Sequence, residues 1–255
     1  MCADRDVARV CFYCKSYAII IQGHVIRFGG VSVTMKTLGI NSSPRRKNSR
    51  TLKLVQAVLN GAQTQGAEIE LVDICALNIN YCMGCEVCFA KGECIHADDL
   101  NELVDKMLNS DGIVLGSPVY MHGVTAQLKT VIDRLADAIH CQLLSGKYGC
   151  AVTTSGGSAD ADVLDYMNNF LNELGIITVG KVGVALDRNP AALDGAINKA
   201  VKLGMTLAKS IQTKRAYPAQ ENKMAKRRAF FARLIKTNKV DRAHQYTYWM
   251  EKGWM

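Results

Sequence analysis

Short apolar segments alternate with helical patterns along residues 35–212, and this alternation constrains the fold more than any other feature of the chain. It is typical of a parallel sheet covered by helices on both faces. The pattern predicts a doubly wound, five-stranded α/β fold with the default strand order 2-1-3-4-5. The predicted strands are Thr37–Asn41, Glu68–Asp73, Gly112–Ser117, Gly149–Thr154 and Ile176–Val184. The predicted helices are Thr51–Ala62, a stretch that opens at Asp98, Val124–Ile139, Ala161–Leu174 and Ala191–Ile211.

Three segments differ in composition. Residues 1–34 show no clear period and are interpreted as an N-terminal extension, and we hypothesise that Met35 is the natural start. Residues 35–212 form the predicted α/β domain. The segment 213–255 has 11 Lys or Arg against 3 Asp or Glu, so this basic, helical C-terminal extension carries the entire net charge of +8. Because the domain itself is balanced, we expect no nucleic-acid partner.

The chain has neither a membrane span nor a secretory signal by sequence. Its most apolar stretch, residues 17–33, is broken by His24 and Arg27 and falls short of the ~18 apolar residues that a span needs. We therefore expect a cytoplasmic protein without membrane association. In a reducing compartment, the ten cysteines are better explained by metal or redox chemistry than by disulfides.

The loop after the first predicted strand has the composition of a phosphate site. It reads SSPRRKNSRT over residues 42–51 and leads directly into a helix. Its hydroxyls, its guanidinium groups and the free N–H groups of the helix N-terminus can all donate to phosphate oxygens. Glycine-rich dinucleotide and P-loop motifs are absent, which disfavours both of those sites. An ordinary capped turn with a solvated basic run is the alternative.

Two further loops are expected at the same edge of the sheet, since ligands bind beyond the carboxyl ends of the strands. The first is apolar and runs from Pro118 to Gly123, and the second runs from Thr154 to Gly157. Small residues in the second loop let the backbone approach a flat ring. His122 is assigned no acid–base role, and no catalytic residue is predicted.

The motifs Ser43-Pro44-Arg45, Asn48-Ser49, Thr51 and Ser117–Tyr120 give residues 35–189 a resemblance to the flavodoxin-like NAD(P)H-dependent FMN reductase superfamily. Ser42 stands where that family often has glycine. The resemblance implies a flavodoxin-like fold and an FMN cofactor. The implied phosphate ligands are Ser43, Arg45, Asn48, Ser49 and Thr51. The implied neighbours of the isoalloxazine are Pro118, Val119, Tyr120, Met121, His122, Gly123, Thr154, Ser155, Gly156 and Gly157.

Four cysteines lie at the spacing C-x2-C-x2-C-x5-C within residues 81–94, namely Cys82, Cys85, Cys88 and Cys94. Three thiolates at intervals of three residues can fold around one cubane, and the fourth closes it once the chain turns at Gly92. A structural zinc is an alternative, although zinc sites usually consist of two separated C-x2-C pairs. The absence of any metal is a second alternative.

The same cysteine spacing resembles that of the archaeal and bacterial iron-sulfur flavoproteins. That resemblance implies a 4Fe-4S cluster and a relay of electrons between a ferredoxin-like donor and FMN, with oxygen or peroxide among the acceptors. One alternative is an NAD(P)H-dependent FMN or quinone reductase without a cluster. Another is a flavin-binding electron carrier that turns over no substrate.

The basic extension is also rich in aromatic residues, including Phe230, Phe231, Trp249 and Trp254. We interpret it as packing on the body of the protein or on a neighbouring subunit, with its charges solvated or facing an acidic donor such as ferredoxin. Members of the resembling superfamily are generally homo-oligomers, so a homodimer or homotetramer is expected.

Overall fold

The computed structural model describes residues 18–21, 24–27, 35–157, 160–187, 189 and 191–255. The chain divides into two compact units, residues 1–34 and residues 35–255. In the first unit, strands β1 (Ala18–Ile21) and β2 (His24–Arg27) pair antiparallel in a two-stranded sheet. The rest of that N-terminal extension lies outside the described residues, and the hypothesis that Met35 is the natural start stays a prediction.

The second unit is built on a five-stranded parallel sheet. Its strands are β3 (Lys36–Asn41), β4 (Glu68–Asp73), β5 (Gly112–Pro118), β6 (Tyr148–Ser155) and β7 (Ile177–Ala185). They lie side by side in the order β4-β3-β5-β6-β7. This arrangement confirms the predicted order 2-1-3-4-5, and each strand begins and ends within one residue of its predicted bounds.

Nine α-helices occur in the described part of the chain. They are α1 (Arg50–Gln63), α2 (Val87–Lys91), α3 (Leu100–Leu108), α4 (Ala126–Arg134), α5 (Ala136–His140), α6 (Asp160–Glu173), α7 (Ala192–Thr213), α8 (Pro218–Thr237) and α9 (Ala243–Glu251). The single helix predicted over residues 124–139 is divided into α4 and α5 at Leu135, where the backbone leaves the helical region. No glycine or proline marks this break, so the apolar period alone predicted a continuous helix.

Helices cover both faces of the sheet, because alternate strand residues point to opposite sides. On β5, Ile113 and Leu115 pack with helices α3, α4 and α6, whereas Val114 packs with α1 and α7. All three residues are almost fully buried. The continuous apolar runs of the sequence are therefore explained by burial on both faces.

Helices α1 and α7 approach each other unusually closely at two glycines. A Cβ atom on Gly61 would overlap the carbonyl oxygen of Val201, and one on Gly204 would overlap that of Val58. The contact is thus reciprocal, and each helix supplies one glycine that allows the other backbone to approach. This crossing fixes the position of α1, whose N-terminus faces the carboxyl edge of the sheet.

The C-terminal extension is helical, as predicted, and packs on α5. Phe231 and Ile235 of α8 and Trp249 of α9 are buried in one apolar cluster. The indole Nε1 of Trp249 donates a hydrogen bond of 3.1 Å to the backbone carbonyl of His140. None of the helices described by the structure has both the length and the apolar character that crossing a bilayer requires.

We expect Gly204→Ala to destabilise the protein by ~1–3 kcal/mol, since the added methyl group meets backbone that has no rotamer to change. Gly195→Ala is the matched control, because Gly195 lies on the same helix and a methyl group added there would meet no atom within 4 Å. The free energy of unfolding of this control should rise by up to ~1 kcal/mol, because alanine has a higher helix propensity than glycine. Urea unfolding of both variants measures the difference, and equal midpoints would contradict the close crossing.

Candidate functional site

A cleft of about 300 Å³ opens at the carboxyl edge of the sheet. It lies beyond the ends of β3, β5, β6 and β7, where the strand order reverses and where ligands of such sheets bind. Its lining residues are Ser43, Arg45, Ser49, Arg50, Thr51, Pro118, Val119, Tyr120, Thr154, Ser155, Gly156, Leu186 and Asp187. Ten of the fifteen residues predicted from the sequence to contact a cofactor are therefore brought together here.

One end of the cleft is the N-terminus of α1. The Ser49 hydroxyl caps this helix by accepting a hydrogen bond of 3.0 Å from the backbone N–H of Leu52. Thr51 is linked to Thr154 across the sheet edge by a hydroxyl–hydroxyl contact of 2.7 Å. The remaining N–H groups of the first turn, together with the guanidinium groups of Arg45 and Arg50, make this end suited to an anionic group.

The neighbouring Arg46 has a different role. It adopts a left-handed backbone conformation with φ 47°, and its guanidinium donates a hydrogen bond of 2.7 Å to the carbonyl of Cys75. This bond fastens the loop to the segment after β4. Ser42, which replaces the glycine common in the resembling family, has no positive φ, and its hydroxyl donates to the carbonyl of Gly116 at 2.9 Å.

The last residue of β6, Ser155, brings an unpaired polar atom to the lining of the cleft. The Ser155 hydroxyl is buried and has no hydrogen-bond partner within the described part of the protein. Buried hydroxyls are normally paired, so this oxygen is available to a ligand. Gly156 follows directly, and a Cβ atom there would meet nothing within 4 Å. The cleft therefore offers an anion-binding helix N-terminus, an unpaired hydroxyl for a polar group of a ligand, and open space beside the Gly156 backbone.

The five other predicted residues do not line the cleft. Asn48 ends a 3-10 turn before α1, and Gly157 lies beyond the lining residue Gly156. Met121 and His122 both have left-handed φ angles, 47° and 62°, and the Met121 side chain is 96% exposed. His122 and Gly123 line an adjacent hollow of about 460 Å³ instead.

Three lining residues were absent from the sequence-based set. Arg50 is the first residue of α1. Its positive charge in the same loop as Arg45 is the sequence feature that could have identified it as a lining residue. Leu186 and Asp187 follow β7, and their position was accessible from the predicted strand order. The sequence prediction covers the loops after the first, third and fourth predicted strands, whereas these two residues follow the fifth.

The four motif cysteines Cys82, Cys85, Cys88 and Cys94 line one cavity of about 170 Å³. All four are free thiols. Cys82 and Cys85 are exposed, while Cys88 on α2 and Cys94 are half-buried. We call this space the cysteine cavity.

Left-handed backbone conformations fold the motif around the cysteine cavity. Gly84, Glu86 and Gly92 have φ angles of 66°, 59° and 78°. The turn at Gly84 brings its N–H to 3.5 Å from the Cys82 sulfur, and Gly92 ends α2 before Cys94. Gly92 thus supplies the predicted turn that returns the fourth cysteine to the other three.

A buried ion pair joins the two ends of the motif. Arg134 of α4 contacts Asp98 at 2.7 Å, and each side chain is 1% exposed. Arg134 also donates to the carbonyl of Asn80 at 2.7 Å, and Asp98 accepts from the Asn80 N–H at 2.9 Å. Burial alone would raise the pKa of Asp98, but the hydrogen bonds from Arg134 and Asn80 hold it well below its usual range.

The cysteine cavity contains two nitrogen atoms without partners in the described part of the chain. Arg134 Nε and His96 Nε2 are buried and make no hydrogen bond, and both residues line the cavity. Sulfur atoms of a bound cluster would be the missing acceptors, and hydrogen bonds to sulfur are a normal feature of iron–sulfur sites. With four soft thiol ligands beside them, these residues fit a metal-sulfide cluster.

The pKa of Cys88 is raised to about 11, first by burial and then by the nearby Asp137 carboxylate. Without a cation this thiol is therefore protonated at neutral pH. A bound metal shifts the protonation equilibrium of Cys88 towards the thiolate, because metal coordination stabilises the deprotonated sulfur.

The C-terminal extension packs directly against the motif. The Arg242 guanidinium lies 4.4 Å from the centre of the Phe89 ring, and Phe89 stacks on His140 at 4.8 Å. A Cβ atom on Gly92 would come within 2.6 Å of the His244 ring. Helix α9 therefore holds the short helix α2, which carries Cys88, from outside.

Comparisons with known proteins agree with this geometry. The model of the family described as NADPH-dependent FMN reductase matches residues 35–191, which is more than half of the chain. An iron-sulfur flavoprotein of Archaeoglobus fulgidus is 37% identical over 224 residues, covering 87% of this chain and 100% of that protein. An iron-sulfur flavoprotein of Methanocaldococcus jannaschii is 37% identical over 160 residues, covering 62% of this chain and 79% of its own.

Among solved structures, the apo form of an NADH:FMN oxidoreductase matches with a TM-score of 0.53 at 22% identity, covering 73% of this chain and 94% of that one. This likeness supports the fold alone. The family match and the two sequence relatives carry the assignment. The chain belongs to the NADPH-dependent FMN reductase family, in its iron-sulfur flavoprotein branch, and is a flavin-dependent oxidoreductase.

Proposed function

We propose that the chain binds FMN in the cleft and a 4Fe-4S cluster in the cysteine cavity, and that it relays electrons between a ferredoxin-like donor and FMN. The observation that carries this proposal is the cysteine cavity, where four free thiols surround one space together with two unpaired buried nitrogens. Metal-bound sulfur accepts hydrogen bonds from such nitrogens, and the compact C-x2-C-x2-C-x5-C spacing favours an iron-sulfur cluster over zinc. The names of both sequence relatives support the same cofactor.

The residues of the cleft have distinct roles in this proposal. The capped N-terminus of α1, with Arg45 and Arg50, binds the phosphate, and the unpaired Ser155 hydroxyl meets a polar edge of the ring. Tyr120 and Gly156 flank the ring. A bound flavin exchanges one or two electrons and a cluster exchanges one, so together they couple single-electron donors to two-electron acceptors.

An apolar rim near the cysteine cavity is the surface that we assign to the donor. Tyr81, Met83 and Ile95 are 77%, 66% and 48% exposed, and Met83 and Ile95 line the cavity itself. Exposed apolar groups of this size are typical of protein contacts. The basic extension adds charge complementary to an acidic ferredoxin. A homodimer or homotetramer remains the expected assembly.

Iron and sulfide quantification tests the cluster directly. Anaerobically purified protein should contain ~4 iron, ~4 acid-labile sulfide and one FMN per chain. Cys85→Ala should lose the iron and sulfide and keep the FMN, because Cys85 lines the cysteine cavity and not the cleft.

Cys75→Ala is the matched control for this experiment, since Cys75 is a free thiol outside both sites. It should retain iron, sulfide and flavin. Folded, FMN-loaded wild-type protein without sulfide would refute the proposal. Bleaching of its flavin by NADPH, with no iron present, would favour an NAD(P)H-dependent reductase.

Breaking the buried ion pair should unfold the cysteine motif. Arg134→Gln leaves the Asp98 carboxylate buried without its cation, which typically costs ~3–5 kcal/mol. Lys129→Ala is the control, because Lys129 of the same helix makes an exposed pair with Asp133, worth ~0.5 kcal/mol or less. Guanidinium unfolding compares the two variants, and equal losses would show that the buried pair has no special role.

Phosphate recognition can be separated from ring recognition. Removing both guanidinium groups in Arg45→Ala/Arg50→Ala should weaken FMN binding by at least ~10-fold and leave riboflavin binding unchanged, since each charge-assisted hydrogen bond contributes ~1.5–3 kcal/mol. Lys47→Ala is the control from the same loop, because Lys47 is exposed and does not line the cleft. Flavin fluorescence titrations of the apoprotein measure both affinities. An equal loss for both flavins would place the phosphate elsewhere.

A further inference from the structure

Three potential metal ligands meet where the C-terminal extension contacts α5. Asp137 lies on α5, Cys141 follows its last residue, and His244 lies on α9. One ligand atom from each lies within 4.8 Å of the other two. None of these residues lines the cysteine cavity, although Asp137 lines an adjoining hollow together with Cys88 and Cys94.

The separation of the donor atoms suits a tetrahedral ion. Zinc binds oxygen and nitrogen at ~2.0–2.2 Å and sulfur at ~2.3 Å, so donors on a tetrahedron lie ~3.4–3.6 Å apart. His244 Nε2 and Asp137 Oδ2 are 3.6 Å apart. The Cys141 sulfur lies within 4.8 Å of a donor atom of each of the other two residues.

The surrounding residues orient two of these ligands. Gln245 is fully buried, and its amide donates to Asp137 Oδ1 at 2.8 Å, which leaves Oδ2 turned to His244. The absence of a side chain at Gly92 gives the His244 ring its place. Hydrogen bonds that fix a ligating carboxylate in this way are typical of built metal sites.

Charge also favours a dication. Cys141 is 1% exposed, and the Asp137 side chain is 17% exposed. A carboxylate and a thiolate together neutralise a divalent ion, and the imidazole binds as a neutral ligand. A buried thiolate beside a partly buried carboxylate is costly to form alone and favourable once a cation is present.

We propose that Asp137, Cys141 and His244 bind one zinc-type divalent ion, with a fourth position open to water, and that this ion fastens α9 to α5. The mixed oxygen, sulfur and nitrogen donor set suits zinc or cobalt better than magnesium or calcium. The ion would lock the extension over α2, next to Cys88. This inference does not depend on the chemistry proposed for the cysteine cavity.

Equilibrium dialysis of the anaerobic holoprotein against chelator-buffered zinc chloride, followed by elemental analysis of zinc and iron, tests the site. One zinc per chain should bind with the iron content unchanged. Cys141→Ser and His244→Ala should each weaken zinc binding by at least ~100-fold. Gln245→Leu should weaken it by ~10–100-fold, as is usual when a ligand loses its orienting hydrogen bond.

Cys75→Ser is the matched control, because the Cys75 thiol also lies beside a carboxylate, that of Asp73, and should leave zinc binding unchanged. If Cys141→Ser does not fold, the half-exposed His244 still decides the outcome. The proposal is overturned if the holoprotein binds no zinc, if zinc binds equally well to His244→Ala, or if zinc enters only as iron is lost.

Discussion

The buried ion pair between Arg134 and Asp98 is the interaction on which the cysteine motif depends. It joins the residues that precede Cys82 to those that follow Cys94, and it anchors both to α4. Isolated buried charges are too costly to keep, so the pair forms only when both ends of the motif are in place. Among the residues that the structure describes, the Nε atom of the same guanidinium has no partner, and Arg134 lines the cysteine cavity. Folding of the motif and readiness for a cluster are thus coupled through one side chain.

The two candidate cofactor sites are built on different principles. The cleft uses the rigid carboxyl edge of the sheet, with α1 held in position by the glycine crossing with α7. The cysteine cavity is lined mostly by residues 82–96 of the connection between β4 and β5, where the five-residue α2 is the one regular element. It therefore relies on neighbours, with α4 on one side and the C-terminal helix α9 on the other. The basic extension, which looks like an appendage by sequence, is part of this support.

The sheet and its order were predictable because buried parallel strands leave continuous apolar runs, and the strand bounds agree within one residue. The gathering of Cys82, Cys85, Cys88 and Cys94 was predictable from short-range spacing. Contacts between residues far apart in the sequence were not predictable. No local pattern pairs Arg134 with Asp98 or brings His244 to Asp137. The break at Leu135 has no glycine or proline signal, and the left-handed conformations after β5 occur at Met121 and His122 rather than at the following Gly123. Met121 and His122 therefore do not line the cleft, although the motif comparison implied that they would.

Closure of the four cysteines around a metal-sulfide cube is the step on which the proposed electron relay depends. X-ray absorption at the iron edge of the oxygen-free holoprotein tests most directly whether the four cysteines bind a cluster. The spectrum reports both the ligands of iron and the neighbouring iron atoms. We predict iron coordinated by sulfur alone, with iron–iron scattering that disappears in Cys85→Ala protein. A folded, flavin-loaded protein whose four thiolates instead surround a single zinc ion, without any iron–iron scattering, would contradict this prediction.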